Sequence, residues 1–279
     1  MLPFGFVLQL LISSILRRVP VPWRRKIIGR PDNPTRVATL VHRILNRVSD
    51  ENSRSYPCIG TLDGYHMYVD WRQFRSFIYD SWEPAVVSRV VSEISAGMTA
   101  IDVGAHIGYY TLLFAKYVGV TGRVISFEPL PANFAVLKKN VELNELKHVD
   151  LFASAIFSRC GDLTISIPDD SNSGDASVVH SASAKHLQVR STTLDAVSST
   201  LDLRPDFVKI DVEGCEFEVL AGAQETIRRH RPKMLIELHH FDGNLAGHPV
   251  PNQLADMGYD VDWIERSAWT SHVLASPRS

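Results

Sequence analysis

Two short acidic stretches towards the end of the chain carry residue types that suit general acid–base work. Asp211-Val-Glu213 follows the apolar run Phe207-Val-Lys-Ile210, and Glu237-Leu-His239-His240 closes the apolar run that starts at Met234. Both runs suit buried strands. Side chains alternate along a strand, so Glu237 and His239 fall on one face. If the two strands deliver their ends to the same sheet edge, Asp211, Glu213, Glu237 and His239 form a cluster of acids with a histidine. Such a cluster supports two chemistries. His239, oriented by Glu237 or Asp211, can take a proton from a poor nucleophile such as a hydroxyl. Alternatively Asp211, Glu237 and His239 can bind Mg²⁺, a hard cation that lowers the pKa of a hydroxyl by direct coordination. A third reading is chemically silent: the acids satisfy strand-end amides and Lys209.

A second set of residues reads as a ligand cradle. Thr99 to Val103 is a short apolar run, and Ile107, Leu112, Leu113, Ala115 and Val118 then recur at helical spacing. Between them lies Asp102-Val-Gly104-Ala105-His-Ile-Gly108-Tyr109. Gly104 lets the backbone turn, and Gly108 removes a side chain where the helix starts, so that first-turn amides can face a ligand. A nicotinamide fingerprint requires a middle glycine beside the pyrophosphate, and Ala105-His106 stand in its place. An acid opening the loop suits a ligand with a positive centre and no pyrophosphate. S-adenosylmethionine (AdoMet), with its sulfonium, is such a ligand. Val124 to Phe127 is the next strand and ends in Glu128-Pro129, which positions Glu128 to accept hydrogen bonds from two ribose hydroxyls. Asp211, at the end of its own strand, joins this cofactor set.

These groups must be positioned by alternating strands and helices. A helix from about Asn133 to Leu143 turns Phe134, Val136, Leu137 and Val141 to the sheet and Lys138 and Lys139 outwards. The strand Val149 to Ser154 follows. Glu216 to Arg229 reads as one helix with Val219, Leu220, Ala223 and Ile227 inward. Gly258 to Trp263 and Ser271 to Leu274 form a late strand pair. Leu163–Ile167 and Leu187–Arg190 read as strands around a polar stretch. Its Asn172, Ser173 and Ser177 are candidate acceptor contacts, because insertions above a sheet edge often carry specificity.

The chain resembles the FkbM family of AdoMet-dependent methyltransferases. The matching stretches are Ile101-Asp-Val-Gly-Ala-His-Ile-Gly-Tyr-Tyr-Thr111, Phe127-Glu-Pro-Leu-Pro131, Asn140-Val-Glu-Leu-Asn144, Thr193-Leu-Asp195, Val208 to Ala223 with its Lys-Ile-Asp-Val-Glu-Gly core, and Leu235-Ile-Glu-Leu-His239. They span roughly residues 75 to 265 in the family's order. The resemblance implies an α/β fold: a Rossmann-like, seven-stranded class I methyltransferase sheet, parallel except for one reversed strand, with an N-terminal helical extension and a β insertion. It also implies Ser154 and Ala155 beside the adenine, and Tyr79, Trp82 and Glu83 near the mouth of the site. The implied reaction is methyl transfer from AdoMet to a hydroxyl of a sugar, glycolipid, polysaccharide or secondary metabolite. A catalytically silent AdoMet-binding scaffold would keep the loop and could dispense with His239. An N-methyltransferase is disfavoured because no Asn/Asp-Pro-Pro-Tyr motif is present. An oxidoreductase is disfavoured by the missing glycine and the absence of a Tyr-x-x-x-Lys pair.

Composition bounds the remaining questions. The 279 residues are 45% hydrophobic, enough for one large α/β domain with additions, and the net charge of −2 offers no general attraction to nucleic acid. Cys58, Cys160 and Cys215 form no Cys-x-x-Cys pair, which predicts reduced thiols and a cytoplasmic protein. Residues 1–58 read as an extension and connecting segment before a methyltransferase domain at 59–279. A turn at Asp63-Gly64 predicts a hairpin near its start. Leu2 to Leu16 is uncharged and is followed by six basic residues up to Arg30. The charge lies on the wrong side for a secretory signal and the run is too short to span a membrane. Two readings of residues 2–30 stay open: a helix packed on the domain or on a second subunit, and a peripheral membrane anchor.

Overall fold

Apolar runs in this chain become the strands of one central sheet. The computed structural model describes residues 29–30, 33–34, 36, 56–62, 65–69, 83–168, 184–240, 245–267 and 269–278. By backbone proximity the chain divides into one unit of residues 1–84 with 142–145 and a second of 85–141 with 146–279.

In the first unit, β1 (Gly29–Arg30) pairs with β2 (Asn33–Pro34), and β3 (Tyr56–Leu62) pairs antiparallel with β4 (Tyr65–Val69). Leu62 lies opposite Tyr65 in that pair. Asn144 exchanges two hydrogen bonds with the backbone of His66, at 2.7 and 2.6 Å. The Leu2–Leu16 run, Asp63-Gly64, Tyr79, Trp82, Asn172, Ser173, Ser177 and the Asp242-Gly243-Asn244 loop lie outside the described residues. Glu83, with φ +40°, immediately precedes the first helix.

In the second unit, helix α1 (Pro84–Glu93) is followed by β5 (Thr99–Val103), α2 (Tyr109–Val118), β6 (Arg123–Phe127), α3 (Pro131–Leu143) and β7 (Val149–Phe152). Three further strands, β8 (Ala155–Ile156), β9 (Gly161–Pro168) and β10 (Ala184–Thr192), form a separate small sheet, ordered β8-β10-β9. This is the expected insertion. The chain then runs through α4 (Leu194–Leu201), β11 (Phe207–Ile210), α5 (Glu216–Ala221), α6 (Gln224–His230), β12 (Lys233–His239), α7 (Pro249–Asp256), β13 (Tyr259–Arg266) and β14 (Thr270–Pro277). The main sheet has seven strands in the order β13-β14-β12-β11-β5-β6-β7. Its neighbours are parallel except where β14 runs against both β12 and β13.

Strand β5 is buried on both faces, which is why it reads as an unbroken apolar run rather than an alternating one. Ile101, Val103, Ile125, Phe127, Val208, Ile210, Ile236 and Leu238 form its core with Leu194 of α4, Val219 and Leu220 of α5 and Leu254 of α7. Each such side chain contributes about 2 kcal/mol through burial. Phe114 of α2 meets Phe207 of β11 edge-on, centroids 5.7 Å apart. The parallel strands end together, so the loops after β5, β6, β11 and β12 gather at one edge. The order reverses between β11 and β5, where a doubly wound sheet opens a crevice.

Two boundaries differ from the sequence expectation. The helix expected across Glu216–Arg229 is two helices, because the chain turns at Gly222-Ala223. A Cβ on Gly222 would lie 2.1 Å from the carbonyl oxygen of Phe157, so the backbone is pressed against the insertion there. Asp195 secures the second helix: its carboxylate accepts from the amides of Glu225 and Thr226 at 3.1 and 2.7 Å. Its neighbour Thr193 caps α4 through the amide of Ala196. Strand β7 stops at Phe152, whose ring stacks on Phe127 at 5.1 Å, and Ala155 already belongs to the insertion sheet.

Candidate functional site

The glycine loop is built by steric necessity. Gly104 has φ +79°, and a Cβ there would lie 1.7 Å from the carbonyl oxygen of Asp211. The loop after β5 is therefore packed directly on the turn after β11, and any side chain would force them apart. Gly108, at φ +97°, is the N-cap of α2, and a Cβ on it would meet Leu137 at 2.7 Å. Buried Asn140 supports the turn by donating to the carbonyl of Ile107 at 2.7 Å. The loop amides face inwards: those of Gly104 and Ala105 donate to Phe127 O, that of Gly108 to Ala105 O, and that of His106 to Glu128. A loop whose amides are spent in this way is a poor phosphate cradle.

Glu128 sits at the end of β6 with only 4% of its surface exposed. Its Oε2 accepts from the amide of His106 at 2.8 Å and its Oε1 from Leu130 N at 2.9 Å, with Asn133 Nδ2 at 3.5 Å. Burial pushes its pKa up to about 7, against the pull of those donors. Pro129 beside it is half-buried, and Ala105, Gly108 and Tyr109 are buried.

Below the loop, the side chain of Asp102 is fully buried. Thr111 donates to its Oδ2 at 2.6 Å, and Lys209 Nζ lies 3.6 Å from its Oδ1. Burial raises its pKa against the opposing effects of Lys209 and Thr111. The expectation that Asp102 touches a ligand is corrected: its carboxylate is closed off and supports the loop from within. Lys209 also donates to Gly104 O at 3.0 Å and pairs with Asp211 Oδ2 at 3.1 Å. Burial alone would lower the pKa of this lysine, but Asp211 and Asp102 more than reverse that and raise it.

At the ends of β11 and β12 the expected acid–histidine cluster assembles. His239 Nε2 is 3.2 Å from Glu213 Oε2 and 3.8 Å from Glu237 Oε1. Its Nδ1 lies 2.8 Å from Glu216 Oε1, which also accepts from Gly214 N. Glu213 and Gly214 have φ of +52° and +94°, a tight left-handed turn after Asp211 and Val212. On the far side, His272 of β14, the register partner of Glu237, approaches its Oε2 at 3.4 Å. Ligand atoms of Asp211, Glu237 and His239 lie within 4.8 Å of one another. Burial works against a charged imidazole at position 239, but Glu216, Asp211 and Glu213 outweigh it and lift the pKa to about 10. Burial likewise raises the pKa of Asp211, and Lys209 and His239 pull it below its ordinary value. At neutral pH His239 therefore already holds its proton. Both of its ring nitrogens face carboxylates.

Residues 102–261, more than half of the chain, match the methyltransferase FkbM domain family. The chain belongs to this family. Two fungal relatives agree: methyltransferase sdnD of Sordaria araneosa is 24% identical over 77% of this chain and 89% of its own length. Methyltransferase 1 of Beauveria bassiana is 26% identical over 61% of this chain and 74% of its own length. The crystal structure of methyltransferase FkbM from Methylobacillus flagellatus KT superposes with a TM-score of 0.47 at 19% identity, over 72% of this chain. The present chain spans about half of that protein, 54% of its length.

This FkbM-family protein is thus an AdoMet-dependent methyltransferase with a class I sheet, and its residues fit the cofactor. Glu128 is a buried carboxylate with lone pairs to spare after its backbone donors, the acceptor that a ribose diol needs. The crevice between β5 and β11 is walled by Asp211, Glu213 and Glu237, and with Glu216 these acids outnumber the Lys209 and His239 cations they face, so the net negative charge suits a sulfonium. Ser154 is half-buried just beyond β7, whereas Ala155 packs into the insertion core with Leu130, Leu163, Ile165 and Val189. Sequence reasoning did not place Thr111, Glu216, His272 or Asn140 in the site, and it named Lys209 only as a partner for the acids. A lysine inside an otherwise apolar strand was the one local signal. Among the described residues Cys160 and Cys215 are free thiols, and no helix is long and apolar enough to cross a membrane.

Proposed function

We propose that this methyltransferase acts on oxygen, moving a methyl group to a hydroxyl of a sugar, a glycolipid or polysaccharide, or a secondary metabolite. The observation that carries the reading is the part-exposed carboxylate of Glu213 held 3.2 Å from His239 Nε2 at the end of β11. A neutral amine attacks through its lone pair without first losing a proton, whereas a hydroxyl needs an acceptor as attack proceeds. AdoMet, when bound, supplies an electrophilic methyl at a cationic sulfur. The chain's own part is to hold Glu213 against His239, to aim it through the left-handed turn at 213–214, and to receive the hydroxyl proton there. Glu216 fixes the imidazolium from the other side, and Lys209 keeps Asp211 ionised. Glu128 and the small side of the glycine loop hold the cofactor, with Ser154 near its base.

A divalent cation held by Asp211, Glu237 and His239 is the second reading, favoured by the closeness of their ligand atoms. It requires the cation to displace the proton from His239 and to draw Asp211 from Lys209. Both readings are tested by incubating wild type, Glu213→Gln and His239→Asn with AdoMet and a panel of hydroxyl- and amine-bearing acceptors, with EDTA or added Mg²⁺. Methyl ethers formed by wild type, a loss of about 10²-fold or more in Glu213→Gln, and indifference to EDTA are expected. Methylamine products would sink the oxygen reading, and EDTA inhibition restored by Mg²⁺ would replace the carboxylate base with a metal.

A further inference from the structure

Lys209 sits in the middle of β11, between Val208 and Ile210, in a strand buried along its length. Its backbone is in register with Asp102 of β5. Three acceptors surround its ammonium: Gly104 O at 3.0 Å, Asp211 Oδ2 at 3.1 Å and Asp102 Oδ1 at 3.6 Å. The ring of Tyr110 covers it, with the centroid 5.2 Å away. Gly104 O and Asp211 Oδ2 lie within hydrogen-bond reach of the ammonium, and Asp102 Oδ1 completes an ion pair at longer range.

Taking a charge out of water costs several kcal/mol, and apolar residues often replace a buried ion pair with no loss of stability. Neutralising Asp102 is thus a weak reason to place lysine in this strand. No apolar side chain can do what else it does, which is to bond the Gly104 carbonyl and the Asp211 carboxylate at once. Gly104 opens the loop on the β5 side, and Asp211 opens the turn on the β11 side. The Asp211 side chain is 27% exposed and without the ammonium would be free to rotate into solvent.

We propose that Lys209 is a positioning residue for AdoMet: its ammonium, seated on the Gly104 carbonyl, holds the part-exposed Asp211 carboxylate in one orientation at the edge of the cofactor crevice. This rests on reading the glycine loop as the cofactor site. The role is separable from stability because Lys209 and Asp102 can be exchanged together. Asp102→Asn with Lys209→Met removes one positive and one negative charge, conserves net charge and fills the strand with residues of similar size, yet leaves the Asp211 carboxylate without the ammonium that holds it.

The test measures S-adenosylhomocysteine (AdoHcy) binding by calorimetry and folding by thermal melting, in wild type, Asp102→Asn, the double variant and Lys209→Arg. The double variant is expected to melt cooperatively and to bind AdoHcy at least about tenfold more weakly than Asp102→Asn, the loss of about 1.4 kcal/mol. Lys209→Arg, which keeps a cation able to reach the Gly104 carbonyl and the Asp211 carboxylate, is expected to stay within about threefold of wild type. A folded double variant binding AdoHcy as tightly as Asp102→Asn would overturn the proposal and leave Lys209 a counter-ion only. If the double variant does not fold, Lys209→Arg decides: a folded protein with affinity lost by more than about tenfold overturns it equally. Absence of AdoHcy binding in wild type would instead overturn the cofactor assignment on which the proposal rests.

Discussion

Replacing Glu128 by glutamine should make the protein more stable at alkaline pH and worse at holding its cofactor. The folded-state pKa rises from 4.5 to about 7, a rise worth about 3 kcal/mol against the folded state once the pH exceeds both values. Because the folded protein binds this proton more tightly than the unfolded chain, its stabilising effect is complete below about 4.5. It is lost as pH climbs through 7. Glutamine has no such proton to lose. Its single oxygen keeps one of the two amides, Leu130 N or His106 N, and leaves the other short of an acceptor at a cost of about 1–2 kcal/mol. The stability gap between wild type and Glu128→Gln should therefore change by about 2–3 kcal/mol between pH 5 and pH 8.5, in favour of the variant at the higher pH. Urea unfolding at the two pH values reads that change directly. In parallel, AdoHcy affinity of wild type should strengthen as pH rises through 7, and Glu128→Gln should bind about 2 kcal/mol more weakly at pH 8.5, roughly thirtyfold. A gap that is the same at both pH values, or a variant that binds AdoHcy as wild type does, would refute the assignment of Glu128 as a strained ribose acceptor.

Three further outcomes follow from other parts of the molecule. Gly104→Ala, whose Cβ would sit 1.7 Å from Asp211 O at φ +79°, should lose at least about 2 kcal/mol of stability and all measurable AdoHcy binding. Unchanged melting and calorimetry would contradict the packing described. His239 should show both ring nitrogens protonated at pH 8 by nitrogen NMR, titrating near 10. Its pKa is raised from 6.5, so the stability it lends is complete below that value and fades as pH passes about 10. A neutral tautomer at pH 8 in the cofactor-free protein would restore it as a candidate base. Arg231 donates to Met257 O and Gly258 O, both at 2.7 Å, and lies 4.6 Å above the ring of Tyr259. Arg231→Met should cost about 2 kcal/mol in thermal unfolding, because two carbonyls lose their donor. No shift in melting would place those carbonyls in contact with water.

Much of this frame was written in local pattern. Thr99–Val103, Val124–Phe127, Phe207–Ile210 and Met234–Leu238 read as strands because burial on both faces demands continuous apolar residues. Gly104 and Glu128 were legible because turn chemistry and strand ends restrict residue type within a few positions. The family's ordered motifs supplied the sheet. Glu237 and His239 shared a face as alternation requires, and they met Asp211 and Glu213 at one edge. The single helix expected over Glu216–Arg229 was broken by contacts that periodicity does not contain: the carbonyl of Phe157 against Gly222, and the carboxylate of Asp195 at Glu225 and Thr226.

Charge state and access were decided elsewhere. His239 has an ordinary sequence context, yet Glu216 and Glu213, more than twenty residues upstream, raise its pKa. Asp102 reads as an acid at the mouth of a loop, but Lys209, Thr111 and the packing of Gly104 on Asp211 enclose it. Periodicity and spacing report what each residue offers to its own strand or helix. A pKa or a ligand contact depends on which distant segments close around it and on how much water they exclude, and only the assembled sheet sets both.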